Sequence, residues 1–149
     1  MKSMFLIGFF GGVLFLFEIF TGFYLFYQKY GFSIEKTLVY THGNPDEMIR
    51  GKSFLGLIEL HFPHFLVFFL SVFVISHIFY FFRIKKLHFY LAGTVFLSGF
   101  FNFLSPFLVL YNKNFAFLKV CSFSIFLASV VFMAVYLCFL TFLKIREKC

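Results

Sequence analysis

The chain has 149 residues, of which 62% are hydrophobic and only 13% charged. Soluble domains carry about a quarter charged residues, so this composition excludes a water-soluble globule and points to the bilayer. The formal charge of +7 falls in short clusters at span ends, which fits topology signals and headgroup contact and excludes nucleic acid as a partner.

The first apolar run, about 4–27, reads as a retained membrane span, since no small-residue cleavage site precedes Glu18. Gly8, Gly11, Gly12, Phe15, Glu18 and Gly22 recur along it at three- and four-residue spacing. Such a stripe lets backbones approach and turns Glu18 toward neighbouring helices.

A long connection follows. Asn44-Pro45-Asp46-Glu47 has the composition of a helix start: a capping Asn, a first-turn proline and two acids at the positive end of the dipole. This predicts an interfacial helix over about 45–62. It should bend near Pro63, whose ring nitrogen cannot bond the Glu59 carbonyl.

The second span, about 63–82, leads through Arg83-Ile84-Lys85-Lys86 into the third, about 87–111. The third carries its own inward stripe of His88, Ala92, Gly99, Asn102 and Pro106. The fourth, about 116–142, follows a turn at Asn112-Lys113-Asn114, and Lys119 near its start is placed at the interface by snorkelling. Short connections make antiparallel neighbours. The expected fold is therefore all-α: one integral membrane four-helix bundle, with an extracytoplasmic interfacial helix leading into the second span.

The basic turn at 83–86 and the tail with Lys144, Arg146 and Lys148 are the denser positive clusters. They place both termini in the cytoplasm of a bacterial-type inner membrane. Cys121 and Cys138 lie seventeen residues apart on one span, roughly 25 Å, and Cys149 stands alone, so no disulfide is expected.

Ionisable side chains at membrane depth are costly and often functional. Two groups qualify. Glu18, Glu59, His61 and His64 share the extracytoplasmic depth, and imidazole with carboxylate suits a divalent metal or a protonation coupled to a quinone. His77 and His88 share the opposite depth on different helices, the arrangement that axial haem ligation requires. Interfacial histidines bonded to water or headgroups account for the same residues without a cofactor. No P-loop, dinucleotide fingerprint, nucleophile elbow or HExxH is present.

The run Leu16-Phe17-Glu18-Ile19-Phe20-Thr21-Gly22-Phe23-Tyr24-Leu25, the long connection, and histidines at both ends of the second span resemble the N-terminal part of transmembrane b-type cytochromes, the cytochromes b of bc complexes. The resemblance covers about 18–82. It implies His64 and His77 as ligands of haem b, in a small subunit of respiratory electron transfer held among other membrane subunits. The histidines are thirteen apart where that family has fourteen, and the fourth span has none, so a one-haem relative is the form implied. Two other readings of the same residues are a non-catalytic packing or assembly subunit, and transport of a proton or metal ion.

Overall fold

The computed structural model describes residues 2–81 and 85–146, with side chains over 6–80, at Leu87 and over 89–146. Arg83, the His88 side chain, Lys148 and Cys149 lie outside that set. Five helices run in chain order: α1 (Lys2–Tyr30), α2 (Ile34–His42), α3 (Phe54–Phe81), α4 (Lys85–Tyr111) and α5 (Ala116–Arg146). A two-stranded ladder, β1 (Gly43–Asn44) with β2 (Ile49–Arg50), separates α2 from α3. Four stretches are long and apolar enough to cross a membrane: Leu6–Tyr30 in α1, Phe54–Tyr80 in α3, Phe89–Tyr111 in α4, and Lys113–Arg146, which joins a 3-10 turn (Lys113–Phe115) to α5. A hydrocarbon core admits only backbones that satisfy their own hydrogen bonds, which is why these apolar runs are helical.

The long connection differs from the expectation of one helix over 45–62. Gly31 and Phe32 both adopt positive φ and end α1, and Ser33 then caps α2 by accepting from the Lys36 N–H. Asn44 caps a turn, not a helix. Its Oδ1 accepts from the Asp46 N–H at 3.1 Å, and the Met48 N–H returns to the Pro45 carbonyl at 3.1 Å. Met48 closes that turn at φ +55°, and the chain comes back as an antiparallel strand. Gly43 and Gly51 are obligatory here, because a Cβ on Gly43 would collide with the Ile49 carbonyl and one on Gly51 with the His42 carbonyl. The true start of α3 is Ser53, whose hydroxyl accepts from the Gly56 N–H at 3.1 Å. From there α3 continues past Pro63 without a break for 28 residues, about 42 Å. It therefore outreaches the ~30 Å hydrocarbon layer.

The α2–hairpin segment caps one end of the bundle. Thr37 and Thr41 are fully buried and return their hydroxyls to the Ser33 and Thr37 carbonyls. His42 donates from Nε2 to the Val109 carbonyl at 2.9 Å, and so satisfies one of the four orphan acceptors at the end of α4.

Helix α5 is the central element, packed along both α1 and α4, while α3 packs on α4. Apolar burial offers little drive between helices in lipid, so close approach and dispersion must hold them. On α1 the approach is made at Gly8 and Gly12. Added Cβ atoms there would meet Thr141 Cγ2 at 2.9 Å and Cys138 Sγ at 2.7 Å. Gly11 and Gly22, expected in the same stripe, face open space. Phe15, Ile19, Val72, Phe79, Val95, Met133 and Leu137 form the main core, and Phe26, Tyr30 and Phe123 a smaller one toward the cap. Helices α1 and α3 touch little by comparison, which leaves a seam between them.

Substituting Gly12→Leu should force α1 away from α5 and cost about 1–3 kcal/mol. Gly11→Leu should stay within about 0.5 kcal/mol of wild type. Thermal unfolding of the two variants in detergent micelles checks this contrast.

Candidate functional site

The site begins with a proline. Pro106 lies inside α4 and has no N–H to give the carbonyl four residues earlier, that of Asn102. The Ser105 hydroxyl on the same helix donates to that carbonyl at 3.0 Å, and its second lone pair is open to a donor from another helix. Lys119 takes that place: its Nζ donates to the Asn102 carbonyl at 2.8 Å and to Asn102 Oδ1 at 2.8 Å. The lysine lies in the first turn of α5 and is only 2% exposed. Its remaining contacts are ring faces, with Nζ 4.8 Å from the Tyr30 centroid and 5.6 Å from that of Phe26. Asn102 oxygens and aromatic faces are both negative, so these surroundings suit an ammonium. No carboxylate reaches it among the described residues.

Tyr30 connects this cation to α3. The His61 Nδ1 sits 3.0 Å from the Leu57 carbonyl, which can only accept, so Nδ1 carries the proton. Nε2 is then the acceptor, and the Tyr30 hydroxyl donates to it at 2.9 Å. Across the end of α1, Tyr40 from the cap meets the Tyr30 ring edge-on at 4.8 Å, and burial pushes the Tyr40 phenol above its ordinary pKa.

These groups form the polar head of a cleft of about 530 Å³ that opens along the seam between α1 and α3. Its floor comes from α4 and α5, with Gly99, Asn102, Phe103, Lys119, Phe123 and Phe126. Gly22 and Leu25 of α1 and Pro63, His64 and Val67 of α3 are exposed at its lips. Such a volume fits a small amphiphile. Lys29 lines the polar head beside Tyr30, and Glu18 lies on the wall farther along α1.

The residues singled out from the sequence are dispersed. Glu18, His61 and His64 line the cleft, and Glu18 accepts from the Ser71 hydroxyl at 3.3 Å. Glu59 is exposed and does not line it. Among the described residues no three His, Cys, Asp or Glu side chains are gathered closely enough to hold a metal ion. His77 is exposed, donates from Nδ1 to its own helix at the Phe73 carbonyl, and lies outside the cleft. His64 and His77 share α3 at a separation of roughly 20 Å, too far to grip one haem iron from opposite sides. The other axial pair expected from the sequence, His77 with His88, includes a side chain outside the described residues. Three of the four described imidazoles are on α3, and the fourth, His42, gives its Nε2 to Val109.

Sequence reading passed over Lys119, Asn102 and Tyr30 as a group. Lys119 does not snorkel to the interface. The Asn102-to-Pro106 spacing was the available signal, since a proline four residues after any helical position leaves that carbonyl free.

Removing the side-chain acceptor alone, as in Asn102→Leu, should cost about 1.5–3 kcal/mol, because it strips one charge-assisted hydrogen bond from a buried ammonium. The double variant Lys119→Met with Asn102→Leu should recover much of that loss, since no cation is left to solvate. A double-mutant cycle on unfolding in detergent measures the coupling.

Neither a curated protein nor a solved structure matches the chain. Residues 31–148 match a family described as a transmembrane helical domain (Aq_1264_TM), a stretch that takes in the cap, α3, α4 and α5, so the chain belongs to that family of multi-pass membrane proteins.

Proposed function

We propose that this protein is a small membrane subunit of respiratory electron transfer that takes a quinone-class molecule from the bilayer into the cleft between α1 and α3. The observation that carries the reading is Lys119: a buried lysine amine at the head of a cleft with aromatic walls and a lateral opening. A quinone has an apolar ring, a lipid-soluble tail and carbonyl oxygens that only accept hydrogen bonds. The ring would lie among Phe26, Phe103, Phe123 and Phe126. The tail would leave past Gly22 and Val67 into lipid, and a ring oxygen would meet Lys119. Tyr30 and His61 form a bonded pair beside that oxygen, able to reorient as it gains or loses a proton. In this reading the redox partner is another membrane subunit. The cap carries Lys36, Arg50 and Lys52 but lacks the density of the basic clusters at 83–86 and 144–148, so it faces the extracytoplasmic side.

Purified protein in micelles should bind short-tailed ubiquinone or menaquinone analogues saturably in calorimetric titration. Lys119→Met should weaken binding at least tenfold, about 1.4 kcal/mol. Non-saturable uptake, or equal binding by the variant, would favour a non-catalytic packing subunit instead. Reduced-minus-oxidised visible spectra of the same sample test haem b directly, and a haem Soret band would return the histidines to the centre of the account.

Orientation has its own test. Met48 is 95% exposed at the hairpin tip. In a background without the native cysteines, Met48→Cys should react with a membrane-impermeant maleimide in intact cells. Labelling only after lysis would reverse the topology.

A further inference from the structure

We infer that the head of this cleft selects its ligand by negative charge, so that the molecule bound is an amphiphile whose polar end is an ionised oxygen on an apolar ring or chain. The inference rests on the reading of the cleft as a site for a bilayer-soluble molecule, and it specifies the headgroup.

Four observations converge. An ammonium has three N–H donors. Protonated, Lys119 gives two of them to Asn102, and the surroundings of its Nζ are otherwise the faces of Tyr30 and Phe26, so the third donor has no oxygen or nitrogen acceptor among the described residues. Its position makes matters worse. The first turn of a helix carries positive partial charge, and a cation there is repelled by its own helix. An anion at the same place would be held by both.

A second cation adds to the excess. Lys29 lines the same end of the cleft, where His61 is held as a neutral imidazole by its bonds to Leu57 and Tyr30. The one carboxylate on the lining is Glu18, eleven residues before Lys29 on α1, roughly 17 Å along the axis. It is engaged with Ser71 and is too far along the wall to neutralise Lys119. A cationic head unbalanced by any nearby acid, above an apolar trough open to lipid, fits an amphiphile that brings its own charge.

Two sources offer that chemistry: an acidic hydroxyquinone, and a lipid carboxylate. Matched probes distinguish them. The full chain in non-ionic micelles would be titrated with an alkyl hydroxynaphthoquinone and its methyl ether, and with oleate and oleyl alcohol, at a pH where both acids are ionised. At least one acid should bind tenfold or more tightly than its neutral partner, and Lys119→Met should abolish most of that preference.

Preference confined to the hydroxynaphthoquinone identifies a ring ligand. Preference confined to oleate supports anion selection while moving the ligand away from quinones. Equal binding of acid and neutral partner overturns the charge inference and leaves the amphiphile site standing. Failure of all four probes to bind overturns both. The wild-type comparison needs no variant to fold, and a preference that survives Lys119→Met would also sink the inference.

Discussion

Hydrocarbon offers no water to a stranded polar group, and this protein puts two of them on adjacent helices where each answers the other. Pro106 removes the N–H that the Asn102 carbonyl would accept and leaves it to the Ser105 hydroxyl and to Lys119, whose donors would otherwise find nothing. The lysine alone would be a liability of several kcal/mol in the bilayer interior. Together they join α4 to α5 with a bond that fixes rotation as well as distance. Dispersion between phenylalanines cannot do that, because flat apolar faces slide. The polar head of the cleft depends on this bond, since it sets where the ammonium stands and which rings it faces.

The remainder of the bundle follows from how closely helices can approach. Gly8 and Gly12 let α1 lie against α5, and Gly99 admits the Phe126 and Phe69 rings. Once α5 is committed on two sides, α3 packs mainly on α4, and the seam toward α1 is left thinly bridged. Phe15 with Phe68 and Tyr30 with His61 cross it. A cleft between two helices that each have a better neighbour elsewhere is a result of that arrangement, and it faces lipid because the open side does.

The four long helices were legible in the sequence because length and hydropathy are sufficient to specify them. The connection was read through the wrong signal. Asn44, Pro45 and Asp46 bring capping chemistry that a turn uses as readily as a helix, and Gly43 and Gly51 decided between the two. The signals that place α2 and α3, Ser33 after Gly31 and Ser53 before Gly56, lay on either side of it.

At the site, Glu18 was expected among histidines and Glu59 at one depth, and its hydrogen-bond partner in the structure is Ser71. His61 drew attention for its possible metal chemistry, whereas its structural partners are Tyr30 and Leu57. Lys119 was assigned by depth, but depth does not tell which way a side chain leaves its helix. That angle depends on the packing of α5 between α1 and α4, which no single-helix pattern records.

The His42 bond to Val109 joins residues 67 positions apart, and the Lys119 bond to Asn102 joins the last two spans. Together they imply an order of assembly during synthesis. The segment holding α2 leaves the ribosome early, yet it cannot seat until the far end of α4 exists to receive its imidazole. Helix α5 in turn meets the bilayer with a lysine that is expensive to immerse, unless α4 is already waiting with the two Asn102 oxygens. The translocon would therefore release α4 and α5 as a pair, and the cap would close over them last.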